Sequence, residues 1–144
     1  MSHTPICIVD ASVLLKWLLP SEQEDYLEQA FVLRDALVRG EIDVVVPALW
    51  RFEVGNTLCR LMPDYAQELL ALCADLGLQE VKNEAWIQEA VRLATNYPVT
   101  FYDASYHAVA KLLGGVLVTA DKRHVDKVIA EGHITYLADW IGVS

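Results

Sequence analysis

Three short runs limit what this chain can become: ICIV at residues 6–9, IDVVV at 42–46 and VLVT at 116–119. Each is apolar without alternation and rich in β-branched residues, the pattern of a strand buried on both faces. Segments of helical periodicity lie between them. Buried strands alternating with helices require a parallel sheet with helices on both sides. With LQEV (78–81) and ITYL (134–137) read as shorter strands, the expectation is an α/β three-layer sandwich around a parallel sheet of about five strands.

The intervening segments carry helix punctuation. ASVLLKWLL follows the first strand directly. In residues 21–40, Ser21 reads as N-cap, Glu24 completes a capping box and Gly40 is the stop. Helices over 49–62 and 64–77 are ended by Pro63 and Gly77, and Asn83 is read as the cap of the next, over 84–97, where Trp86, Ala90, Val91 and Ala94 recur at helical spacing. An alanine-rich helix over 102–113 runs into Gly114–Gly115, a further helix is expected near 123–130, and a last turn falls around ADWIG.

A chain of 144 residues suits one domain with a substantial core, over residues 1–144. Hydrophobic residues reach 54%, yet no run attains the roughly 18 apolar residues of a membrane span. The nearest, VLLKWLLP, is broken by Lys16 and ended by Pro20. The excess is better assigned to a protein–protein surface, in a homodimer or against a hydrophobic partner peptide. MSHTPICIVD has no basic segment before a long apolar core, so no secretory signal is expected. Cys7, Cys59 and Cys73 are odd in number and without a C-x-x-C pair, which reads as buried free thiols in a reducing cytoplasm. A net charge of −9 argues against a nucleic-acid coat protein, though not against an enzyme that meets phosphate through metal ions.

The acids then need an explanation. In α/β sheets the functional crevice lies beyond the carboxyl ends of the strands. Asp10 follows the first strand directly, and Asp121 follows VLVT by two residues. Glu53 stands early in the helix after the second strand, with Asn56 three residues on, and Asp103 opens the alanine-rich helix. Glu22, Glu24, Asp25 and Glu28, by contrast, read as one solvated face. Singly, each of the four acids has an ordinary explanation. Asp10 and Asp103 suit helix N-termini, Glu53 a surface position and Asp121 a turn. Ser12 can satisfy the first helix, Thr119 fills a strand position, and Asn56 suits a polar group bonded to backbone. Four carboxylates at one sheet edge, however, repel one another unless protons or a divalent cation neutralise them, and magnesium and manganese prefer such oxygen donors. His107, one turn after Asp103, leaves open an Asp/His metal pair; His3, His124 and His133 are read as terminal or loop residues. The four tryptophans read as core or interface.

Taken in order, IVDASVLLKWLLPSE, VPALWRFEVGNTL and VTFYDASYHAVAKLLGGVLVTADKRH resemble the PIN-domain ribonucleases, and in particular toxins of the VapC type from bacterial toxin–antitoxin pairs. The resemblance spans nearly the whole chain. It implies a PIN-like fold and a metal-dependent endoribonuclease using Mg2+, with Mn2+ as an alternative. It carries acidic roles, direct or through water, onto Asp10, Glu53, Asp103 and Asp121, and supporting roles onto Ser12, Asn56 and Thr119. It also implies an RNA substrate such as tRNA or another structured RNA, a cognate antitoxin, a homodimer, and DNA contact only through the antitoxin. Some relatives carry a fifth acid soon after the last aspartate. Here Lys122, Arg123 and His124 follow, and Asp126 comes one helical turn later, so the resemblance does not extend to a fifth ligand. Two other readings stay open: an α/β phosphatase or phospho-acceptor using Asp10 as nucleophile, and an inactive partner-binding PIN-like domain. The first lacks the D-x-D after strand one and the paired acids and late lysine of a receiver.

Overall fold

The apolar runs do become the strands. The computed structural model describes residues 4–20 and 25–142. The strands are β1 (Ile6–Val9), β2 (Asp43–Val46), β3 (Gln79–Glu80), β4 (Val116–Thr119) and β5 (Ile134–Tyr136), and they form one parallel sheet in the order β3-β2-β1-β4-β5. Ile8, Val9, Val44, Val46, Leu117 and Val118 are all buried, as runs without alternation require. β1 lies at the centre, with Cys7, Ile8 and Val9 level with Val116, Leu117 and Val118.

The described helices are α1 (Ala11–Leu18), α2 (Leu27–Val38), α3 (Leu49–Leu61), α4 (Ala66–Ala74), α5 (Trp86–Asn96), α6 (Phe101–Leu113) and α7 (Lys122–Val128), followed by two short 3-10 turns. The chain first moves outward through β2 to β3, then crosses back to β4 and β5. Right-handed crossovers therefore put α1–α4 on one face and α5–α7 on the other. α6 packs on β1, β4 and β2 and is covered by α5, while α1 packs against α2, α3 and α4. The buried run of α6, Ala104–Ala110, explains its alanine-rich composition: Ala104 and Ala108 pack with Ala90 and Leu93 of α5, and Ala110 joins the main core.

Several expectations are corrected in detail. α2 begins at Leu27, after Tyr26 in a left-handed conformation; the Ser21–Glu24 capping box lies outside the described residues. Asn83 accepts from the Ala85 N–H at 3.0 Å, two residues on, so it forms a local turn and α5 starts only at Trp86. Cys7 and Cys73 are buried thiols pushed up to about 11 and about 12 by burial, but Cys59 is exposed on α3. His124 lies buried in α7, its ring edge-on to that of buried His107 with centroids 6.0 Å apart.

An ion network joins α5, α6 and the first 3-10 turn. Arg92 reaches Glu89 and Glu131 at 2.6 Å each, Lys111 reaches them at 2.9 and 2.5 Å, and Tyr97 donates to Glu131 at 2.6 Å. The Arg92 hydrogen bonds are the main reason that Glu89 and Glu131 are held at about 2. Among the described residues no helix is long and apolar enough to cross a membrane.

The paired glycines do different work. Gly114 ends α6 in the left-handed region at φ 67°, whereas a Cβ on Gly115 would sit 2.6 Å from the Ile6 carbonyl oxygen. Backbone cannot yield there, so Gly115→Ala should lower stability by about 1–3 kcal/mol, the usual range for overpacking. Gly55, inside α3, would meet only Leu70 Cδ2 at 3.7 Å. Gly55→Ala should instead leave stability unchanged or raise it by up to about 0.8 kcal/mol through helix propensity. Urea melts of both variants check the contrast.

Candidate active site

The sheet order reverses between β1 and β4, and crevices in parallel sheets open beyond the strand ends at such a switch point. Asp10 and Asp121 come from the ends of those two strands. Asp10 is the N-cap of α1, accepting from the Val13 N–H at 3.3 Å, so the capping reading is correct as geometry. The cap does not exhaust the carboxylate. Its Oδ1 also accepts a short hydrogen bond from the Ser12 hydroxyl, and its Oδ2 accepts from Thr119 at 2.5 Å.

Each hydroxyl is held in turn by the loop after β4. Ser12 Oγ accepts from the Ala120 N–H at 3.0 Å, and Thr119 Oγ1 accepts from the Asp121 N–H at 3.1 Å. With its lone pairs receiving backbone protons, each hydroxyl is left to donate toward Asp10. Two hydroxyl bridges thus join the ends of β1 and β4 and set the start of Asp121. Asp121 caps α7, with Oδ1 accepting from the His124 N–H at 3.3 Å, and is itself exposed.

Asp103 stands in the first turn of α6 but does not cap it. Thr100 does, accepting from the Asp103 N–H at 3.0 Å, which leaves the Asp103 carboxylate uncommitted. Glu53, on α3, accepts from the Tyr106 hydroxyl at 2.7 Å. Tyr106 escaped the sequence reading, although its place three residues after Asp103 puts it on nearly the same helical face. Asn56 is exposed and makes no hydrogen bond with these acids. Asp126 is exposed and pairs with Lys122 at 3.2 Å, a solvated i,i+4 contact away from the set. His107 does not form the Asp/His pair: it is fully buried, with Nε2 2.8 Å from the Gly132 carbonyl.

The acids feel one another. Burial is the main cause of the raised Asp10 carboxyl, at about 6, with the charge of Asp103 adding to it and the Ser12, Thr119 and Val13 hydrogen bonds opposing. Glu53 is raised by burial and by Asp103, against the Tyr106 hydrogen bond. Asp103 is raised by burial and by Asp121, with Lys127 opposing. Asp103 is therefore the electrostatic centre of a cluster that links all four acids.

The donors decide what would fit there. They are carboxylate oxygens from four separate elements, electrostatically coupled and three of them partly desolvated, which suits a hard divalent cation such as Mg2+ or Mn2+ and no soft one. Among the described residues, no three Asp, Glu, His or Cys side chains already close around one point as a cage. The acids stand at electrostatic range, with Asp103, whose carboxylate makes no hydrogen bond among the described residues, the least restrained.

A carboxylate cluster at the switch point of a five-stranded parallel sheet defines an α/β domain with an acidic site. The PIN domain profile matches residues 7–129, and the chain belongs to the PIN-domain family. It is 28% identical over 128 residues to Ribonuclease VapC3 of Pyrobaculum aerophilum, an alignment covering 83% of this chain and 92% of that protein. Two solved structures share the fold. PAE2754 from Pyrobaculum aerophilum superposes with a TM-score of 0.66 at 24% identity, covering 96% of this chain and 93% of that one. A chain of FitAB, in a structure bound to an IR36 DNA fragment, gives 0.65 at 15% identity, covering 96% and 99%.

The raised Asp10 carboxyl has a testable sign. Its folded value of about 6 exceeds the ordinary 3.8, so the folded chain holds an extra proton between them. That contribution to stability is complete below pH 3.8 and is lost as pH rises through about 6. In EDTA, Asp10→Asn should therefore gain on the wild type between pH 4 and 7 by on the order of 3 kcal/mol, roughly 10 °C in Tm. Comparing the two proteins cancels the opposing titration of His107 and His124. A difference in Tm that stays flat with pH would refute the raised value.

Proposed function

We propose that this chain is a metal-dependent endoribonuclease acting as the toxin of a toxin–antitoxin pair in the cytoplasm. The observation that carries the reading is the meeting of Asp10, Glu53, Asp103 and Asp121 at the sheet's switch point, with three of them pushed toward protonation. Membership of the PIN family and likeness to a ribonuclease support it.

In this reading the four acids hold Mg2+, or Mn2+, directly or through water. When bound, the cation offsets their charge, polarises the phosphate of the RNA and lowers the pKa of water. The remaining work belongs to the chain. Ser12 and Thr119 hold Asp10 rigid against the ends of β1 and β4. Asp103, the less restrained, adjusts to cation and substrate. The raised proton affinity of Glu53 and Asp103 suits either to take the proton of the attacking water. Asn56, exposed one turn beyond Glu53, is free to meet substrate.

The nucleophilic-aspartate alternative loses support. Asp10 is only 6% exposed and both its oxygens accept hydrogen bonds, so neither is poised to attack a phosphate. An inactive partner-binding domain would have no reason to keep four acids in mutual repulsion.

Partner binding is part of the same proposal. α3 and α4 flank a mainly apolar groove lined by Gly55, Cys59, Pro63, Ala66, Gln67 and Leu70, with Leu61 and Leu72 exposed on the same helices and Tyr65 exposed just before α4. Such a surface suits an amphipathic antitoxin helix or a second copy of the chain. DNA recognition would then come from the antitoxin, because this chain carries net charge −9.

Cleavage of an RNA panel should require Mg2+ or Mn2+ and stop in EDTA; undiminished cleavage in chelator would refute the metal reading. The products should carry 5′-phosphate and 3′-hydroxyl ends, because water rather than the ribose 2′-hydroxyl attacks. Among the described residues, the burial of His107 and His124 and the contact of His133 with the Gly115 carbonyl at the opposite end of β4 support this reading. End-group analysis that returned 2′,3′-cyclic phosphates would overturn this mechanism.

A further inference from the structure

Asp10 is held by backbone and hydroxyl donors and Asp121 by the His124 N–H it caps, but Glu53 has a longer side chain and comes from α3, away from those donors. One side chain restrains it. Tyr106 is 1% exposed, and its hydroxyl donates to Glu53 Oε1 at 2.7 Å. Glu53 makes no other hydrogen bond among the described residues, so Oε2 remains the unengaged oxygen. A phenol this buried has the Glu53 carboxylate as its one hydrogen-bond acceptor among the described residues.

We propose that Tyr106 is a positioning residue for the divalent cation: its hydroxyl engages one oxygen of Glu53, ties α3 to the helix bearing Asp103, and leaves the other Glu53 oxygen available as a ligand. The inference rests on the reading above, in which the acids bind a cation. A flexible glutamate must give up rotamer freedom on binding, and a hydrogen bond that orders it beforehand removes that cost from the binding step. If Tyr106 simply needed an acceptor to satisfy a buried phenol, its hydroxyl would matter to folding and not to metal affinity.

Titration calorimetry of the full chain with MnCl2 in the absence of RNA separates these cases. Tyr106→Phe removes only the hydroxyl, and Mn2+ binding should weaken by roughly 10- to 100-fold, the range for groups that orient metal ligands. In Glu53→Gln, which is already weakened, the added Tyr106→Phe change should alter affinity by less than about twofold, because the two residues act as one unit. Wild-type affinity in Tyr106→Phe, or the same loss with and without the Glu53→Gln change, would overturn the proposal while leaving the metal reading intact. A wild-type chain that binds no Mn2+ would overturn both. Tyr106→Met lacks the hydroxyl on a more adaptable side chain and carries the same test should the phenylalanine variant not fold.

Discussion

The rest of the site depends on the buried carboxylate of Asp10 and its two hydroxyl bridges. Ser12 and Thr119 are over a hundred residues apart in sequence, yet both donate to this one group. Each is held by a backbone N–H of the loop after β4. The parallel register makes this possible: Val9 is level with Val118, so the next residues, Asp10 and Thr119, stand side by side. Without those donors, burial would leave Asp10 an uncompensated polar group at the centre of the fold. With them it becomes the point from which the start of α1, the end of β4 and Asp121 are all placed.

α6 shows the same chain treating charge in two opposite ways. At its C-terminal end Lys111 joins Glu89, Arg92 and Glu131, and acids and bases are matched. At its N-terminal end Asp103 faces Asp10, Glu53 and Asp121, with Lys127 the cation that opposes this repulsion. Glu89 and Glu131 are pulled down to about 2, while Asp10 is pushed up to about 6. A chain able to pair its acids so thoroughly at one end of a helix leaves them in conflict at the other.

Much of this was legible in the sequence because it depends on chain order and on strong local signals. Apolar runs without alternation located the strands, and the rule that sites lie beyond the strand ends located Asp10 and Asp121. What escaped was set by geometry between elements. Tyr106 looks like one more bulky residue in an apolar helix until α3 brings Glu53 against it. Asn83 is a respectable cap by residue type, but its side chain closes a turn two residues early. Cys59 and His124 differ from expectation because helix rotation, which composition does not report, turns one toward solvent and the other inward.

Asp10 and Asp121 each cap a helix as well as belonging to the acidic cluster, whereas Asp103 and Glu53 cap nothing. The two pairs consequently face different mutational neighbourhoods. At positions 10 and 121, asparagine preserves the cap while removing the charge, but alanine removes both and weakens the helix start. At position 103 many uncharged residues are compatible with the helix, whereas an apolar residue at 53 would leave the buried Tyr106 hydroxyl unpaired. Of the four acids, Asp103 is therefore the one whose charge can be lost with the least consequence for the fold, while the strand-end caps and the Tyr106 partner tie the other three to its stability.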